Sequence, residues 1–262
     1  MKSRIISAIV MLLIVVPVLY FGGWIFDVAI AALAVISFKE LIDVRKDLNI
    51  PSVMKIIGLI CMLMLTFANI GSISLALGLN YETVSIVFLL LLAPTVFLKK
   101  YNYRVSDAFY LAAITLFIGV TFNLFITLYT ESIWLFIWII VIACSTDIFA
   151  LLGGMLIGRH KFTEISPNKT IEGCICGALM AVIIGVTFYG TVIGTDDLIR
   201  VGIVTLVLSV VGQIGDLFFS LIKRENKTKD FSNLIPGHGG ILDRIDSIIF
   251  IIITFVFVMQ YL

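Results

Sequence analysis

Residues 215–246 read GDLFFSLIKRENKTKDFSNLIPGHGGILDRID. An apolar run closes at Ile222, a polar and basic loop follows, and a second apolar run opens at Ile241. The chain has 262 residues, 61% of them hydrophobic and 13% charged, so this passage from apolar to charged and back is its building unit. A mean hydropathy of +1.16 leaves little room for a soluble domain. Apolar runs of about 20 residues suffice to cross a bilayer as helices, whose backbone groups are satisfied within the segment. The expected fold class is all-α: a polytopic integral membrane protein.

Extending that reading outward gives about nine transmembrane helices, at roughly 5–21, 24–42, 53–76, 83–98, 107–129, 133–157, 172–195, 199–222 and 241–261. Of the 18 Lys and Arg residues, all but Arg200 then fall in connections on one side. Basic loops stay in the cytosol, so this alternation places the N-terminus and the loop after Ile222 there. The first run follows Lys2 and Arg4 as a signal peptide would, but no small-residue cleavage site follows Tyr20, and it is read as retained. Residues 1–130 are read as a membrane scaffold of about five helices. Residues 131–262 form a catalytic region of about four helices with two cytosolic loops.

The stretch 215–246 also gathers the chemistry. Asp216 ends one apolar run, while Asp243 and Asp246 lie three apart at the start of the next and share a helix face. Three carboxylates at one depth suit a hard cation such as magnesium. Gly212, Asp216 and Ser220 form a stripe that Lys223 extends to the cytosolic end. The intervening loop carries Arg224, Lys227 and Lys229 and the turn Pro236-Gly237-His238-Gly239-Gly240, whose glycines allow close approach of backbone N–H groups to an anion. Carboxylates for metal beside cations for phosphate describe a nucleotide site. Taken singly, Asp243 also reads as a helix N-cap, and the basic loop as a mark of the cytosolic side.

Upstream, Asp147 interrupts the sixth run about ten residues, or roughly 15 Å of helix, from its cytosolic end. A carboxylate there must face protein, water or a cation. The following loop holds Ser166, Asn168, Lys169 and Thr170, side chains able to bind phosphate at a helix N-terminus, although Ser-Pro and a Thr N-cap also make an ordinary turn. Cys61, Cys144, Cys174 and Cys176 are read as buried structural thiols, and His160 as a solvated loop residue. Lys39 and Glu40 are adjacent, not on one helix face, and the first five helices carry little that is specific.

Ser220, Lys223-Arg224, Lys229-Asp230, Ile235-Pro236, His238-Gly239-Gly240, Asp243-Arg244 and Asp246 resemble, without a gap, the signature of the phosphatidate cytidylyltransferases. Ser166-Pro167, Lys169-Thr170 and Glu172-Gly173, following an intramembrane Asp147, resemble a second segment of that family. This chain departs from it with Asn168 in place of a common Lys and Phe219 in place of a common acid. The resemblance implies transfer of CMP from CTP to phosphatidate, giving CDP-diacylglycerol and pyrophosphate in phospholipid biosynthesis. In that reading Asp216, Asp243 and Asp246 hold one or two divalent cations, Mg2+ first among them. Lys223 and Asp147 join them as catalytic groups, and Ser166, Asn168, Lys169, Thr170, Arg224, Lys229, His238 and Arg244 bind substrate phosphates.

The implied partners are CTP, phosphatidate and the bilayer, in a bacterial cell membrane with the site on its cytosolic side. A second copy of the chain is compatible with this reading, and no nucleic acid is expected. The alternatives are a CTP-dependent cytidylyltransferase or kinase acting on another lipid, and an ion-coupled transporter.

Overall fold

The structure is a computed structural model that describes residues 2–68, 80–98, 102–194, 197–237 and 239–259, with side chains at Ser7 and from Ile9 onward. Among the described residues there are nine α-helices and no strand: α1 (Lys2–Phe21), α2 (Gly23–Val44), α3 (Ser52–Thr66), α4 (Tyr81–Leu92), α5 (Val105–Glu131), α6 (Ile133–Ile157), α7 (Ile171–Phe188), α8 (Leu198–Glu225) and α9 (Leu242–Met259). Among the described residues, four helical segments are both long and apolar enough to cross a membrane: Val105–Glu131, Ile133–Ile157, Ile171–Ile193 and Leu198–Glu225. The architecture is that of an all-α membrane protein.

Three helices end before their apolar runs do. α3 ends at Thr66, where buried Asn123 donates to the carbonyls of Thr66 (3.0 Å) and Ala68 (2.6 Å) and so satisfies an orphaned helix end; residues 69–76 of the expected span lie outside the described residues. α4 passes into a 3-10 turn at Ala93–Val96, since Pro94 has no N–H to continue the ladder. α7 continues as a π turn, Tyr189–Ile193, closed by Gly194 at φ +87°, a conformation that glycine adopts without strain.

The chain divides into two compact units, residues 1–127 with 230–242, and 128–229 with 243–262. In the first, Gly58 lies against Phe38 and Leu111, and Gly119 against Met62 and Leu65. The Tyr110 hydroxyl donates to the Leu41 carbonyl at 2.7 Å, holding α5 to α2.

The second unit is built on close helix approach through small residues. Gly153 of α6 faces Cys176 of α7, Gly177 faces the Thr146 carbonyl, and Gly212 and Gly215 of α8 face Ile251 and Phe250 of α9. Buried polar pairs fix the register: Thr146 with Ser209 at 2.7 Å, and Gln213 donating to the Cys174 carbonyl at 3.2 Å. At the far end, Trp138 donates to the Gly185 carbonyl and meets Tyr189 and Phe255 edge-on. Only Cys61 is fully buried; Cys174 and Cys176 are half-buried, and Cys144 lies on a face of α6 that the protein does not cover.

A Cβ at position 177 would fall 2.6 Å from the Thr146 carbonyl oxygen and 2.9 Å from the Ala150 Cβ. Gly177→Ala is therefore expected to push α7 off α6 at a cost of about 1–3 kcal/mol. Gly202→Ala, where the nearest atom would be 3.6 Å away, is expected to change little. Thermal unfolding of the two variants in detergent measures the difference.

Candidate active site

The second unit brings Asp147, Asp216 and Asp246 into one electrostatic neighbourhood from three different helices. Asp147 of α6 has Asp216, Lys169 and Arg244 as charged neighbours and shares a hydrogen bond with Ser247. Asp246 of α9 has Asp216, Asp147 and Lys223. Asp246 is buried, Asp216 half-buried and Asp147 exposed, so the group runs from the interior to an accessible surface.

Two lysines enter this group. Lys169, from the loop before α7, forms an ion pair with Asp216. Lys223, in the last turn of α8, donates to Asp243 at 2.6 Å, with side-chain exposures of only 10% and 4%. Asp243 and Asp216 thus each stand with a lysine, while Asp147, Asp216 and Asp246 lie within electrostatic reach of one another. Among the described residues, no three carboxylate, histidine or cysteine side chains are gathered closely enough to enclose a metal ion on their own.

The loop 158–170 owes its shape to local bonds. Phe162 N–H donates to the Lys169 carbonyl, Lys169 N–H to the Ser166 carbonyl, and Ile171 N–H to the His160 carbonyl. This closes a hairpin-like turn around Pro167, which pre-sets its corner. Thr170 caps α7, its hydroxyl accepting from Gly173 N–H at 3.1 Å. Ser166 is half-buried and Asn168 exposed at the turn. His160 is more engaged than its sequence context suggests: Nδ1 lies 2.6 Å from Glu172, whose carboxylate also accepts the N–H groups of Arg159 and His160. Glu172 holds the loop's first residues because it stands in the first turn of α7, where an acid complements the helix dipole.

α8 ends in a Schellman arrangement in which Thr228 N–H donates to the Lys223 carbonyl and Lys227 N–H to the Arg224 carbonyl, with Lys227 at φ 55°. Lys223 is therefore fixed in the last turn, while Arg224 and Lys229 are exposed, Arg224 donating to the Thr228 carbonyl. Arg244 is exposed in the first turn of α9. His238 lies outside the described residues.

The glycine-rich turn belongs to the first unit. Ile235 and Gly239 exchange both backbone bonds, and Gly237 and Gly239 have φ of 78° and 82°. Their freedom thus serves the turn itself. In the same unit Glu40 is buried, and its carboxylate accepts from Ser232 Oγ (2.6 Å), Ile241 N–H (3.0 Å) and Leu242 N–H (2.9 Å). A lone acid beside a lysine gives no such signal in sequence.

Comparison with known proteins bears on the chain as a whole. The sequence pattern of the Cytidylyltransferase family matches residues 2–262. The chain is similar to the phosphatidate cytidylyltransferase of Staphylococcus haemolyticus strain JCSC1435, with 32% identity over 96% of each chain. It is likewise similar to those of Staphylococcus aureus strain COL, at 33% identity over 96% of each chain, and Staphylococcus epidermidis strain RP62A, at 33% over the same share.

Proposed function

The chain belongs to the cytidylyltransferase family, and from that premise we infer that it is a phosphatidate cytidylyltransferase. A phosphate oxygen of phosphatidate attacks the α-phosphorus of CTP, the bond from that phosphorus to the bridging oxygen breaks, and pyrophosphate leaves with the bond electrons. The products are CDP-diacylglycerol and pyrophosphate. The observation that carries this reading is the convergence of Asp147, Asp216 and Asp246 with Lys169 and Lys223, in a chain similar along its length to named phosphatidate cytidylyltransferases.

Bringing two phosphate groups together is mainly a problem of charge, so neutralisation and alignment make up most of the catalytic task. Lys169 and Lys223 supply fixed cations, and Ser166, Asn168, Arg224, Lys229, His238 and Arg244 are the further phosphate ligands in this reading. Thr170 contributes by holding α7 and the loop before it. The phosphatidate oxygen is already anionic at neutral pH, so no external base is required.

The chemistry of the donor set suits a hard divalent cation: carboxylate oxygens of like charge lie within electrostatic reach of one another, and a dication would relieve their repulsion. Asp216 and Asp246, with Asp147 beside them, would hold it, while Asp243 orients Lys223. Mg2+, with or without a second cation, would withdraw charge from the reacting phosphates.

In the same reading the nine helices all span the membrane, with the N-terminus and site on the cytosolic side, as the exclusion of all basic residues but Arg200 from the other face supports. Residues 1–130 act as scaffold and 131–262 carry the chemistry. Placement at the cytosolic surface lets CTP meet a lipid that does not leave the bilayer. A homodimer is consistent with this scheme.

The test is incubation of purified protein with CTP labelled at the α- or the γ-phosphate and a panel of lipids. Label from the α position should enter phosphatidate, dependent on divalent cation. Entry of γ label alone would make the chain a lipid kinase, and preference for another acceptor would redirect the substrate.

A further inference from the structure

The most heavily bonded carboxylate of the first unit is Glu40, in the penultimate turn of α2 (Gly23–Val44) and 4% exposed. Oε1 accepts from both Ser232 Oγ and Ile241 N–H, and Oε2 accepts from Leu242 N–H. One side chain thereby fastens both ends of the segment 232–242. Between those ends runs the turn closed by Ile235 and Gly239, and Ser7 of α1 donates to its Pro236 carbonyl at 2.8 Å. A Cβ at Gly240 would collide with the Glu40 carboxylate, so the residue at 240 and the clasp require each other.

Leu242 is the first residue of α9, and its N–H is one of the orphan donors of a helix N-terminus. A carboxylate from another helix takes that donor and places negative charge at the positive end of the helix dipole. α9 runs without a break from Leu242, so the clasp acts on the residue that starts the helix carrying Asp243 and Asp246. A buried acid whose bonds all converge on one segment is more specific than packing alone requires.

We propose that Glu40 is a positioning residue for CMP transfer: it clasps the segment 232–242 and sets the first turn of α9. The inference rests on the phosphatidate cytidylyltransferase reading above. Glu40 itself need touch no substrate. Displacing a reacting group by about 1 Å can cost on the order of 100-fold in rate, which is the scale of effect that loss of the clasp should produce.

The experiment uses the full chain in detergent or lipid nanodiscs and three variants: Ser232→Ala, Glu40→Gln and Glu40→Ala. Turnover with labelled CTP and phosphatidate, hydrogen exchange by segment, and thermal midpoint are measured for each. Ser232→Ala removes one bond and should fold. Glu40→Gln keeps the size but offers an NH2 to one of the two amides. Glu40→Ala removes the clasp.

Turnover should fall in that order, to about 100-fold below wild type in Glu40→Ala. Hydrogen exchange should rise in step over 232–245, with exchange over α6 and α7 unchanged. Full turnover in Glu40→Ala overturns the proposal, as does a loosened segment with unaltered turnover. So does loss of turnover that tracks a fall in thermal midpoint and faster exchange across the whole chain, which is the signature of a merely structural acid. A wild-type protein that transfers no CMP overturns the functional reading first. An active wild type alongside an equally active Glu40→Ala overturns the positioning role alone.

Discussion

Lys223→Met is expected to abolish CMP transfer and to destabilise the second unit. The Lys223–Asp243 pair is nearly buried at both ends, at 10% and 4% exposure. Removing one partner from such a pair leaves a charge without compensation and costs about 3–5 kcal/mol. The double variant Lys223→Met/Asp243→Leu replaces the pair by apolar side chains and should recover most of that stability. It should not recover turnover if Lys223 is, as proposed, one of the cations that meets the reacting phosphates, and losses of about 100- to 1000-fold follow removal of one such electrostatic partner. Thermal unfolding and the labelled-CTP assay separate the two effects. Turnover in the double variant near the wild-type rate would eliminate Lys223 from the chemistry.

Asp246→Asn is the second variant with a large expected effect, and there activity and stability should move apart. The substitution conserves volume and keeps an oxygen to accept the Ser247 N–H, 2.9 Å from the Asp246 carboxylate. It removes a buried acid that lies within electrostatic reach of Asp216 and Asp147, so the thermal midpoint should stay level or rise. Turnover should fall by at least about 100-fold, since the proposed mechanism gives Asp246 the cation that screens the phosphates. Functional sites commonly retain such repulsion at the expense of stability. Near-normal rates would refute the metal-holding role, and a protein that no longer folds would show that the charge has structural work instead.

The helices were legible because an apolar run of about 20 residues has few alternatives in a chain this hydrophobic. Their ends were less so. α3 stops at Thr66 because Asn123, 57 residues away in sequence, takes its carbonyl, and no local pattern announces that bond. Asp147, Asp216, Asp243 and Asp246 stand out in the sequence as acids within or bordering apolar runs; the structure sets Asp147, Asp216 and Asp246 within electrostatic reach of one another and pairs Asp243 with Lys223. The pairing of Asp243 with Lys223, and of Asp216 with Lys169, depends on how α7, α8 and α9 pack, which periodicity leaves open. Glu40 is not legible in the sequence for a physical reason: a glutamate next to a lysine near a helix end looks like a solvated terminus, and only the fold reveals that α2 buries it against a distant segment. The bond of His160 is hidden in the same way, its partner Glu172 lying across a loop.

The division of the chain into two compact units is not a division of the gene into two halves. The polypeptide passes from one unit to the other after Thr127, after Lys229 and after Leu242. A chimera of two relatives joined once, near residue 128, would inherit Glu40 from one parent and the stretch that Glu40 fastens from the other. Recombination that respects the fold needs three crossovers, with 230–242 travelling alongside 1–127 as a single heritable piece.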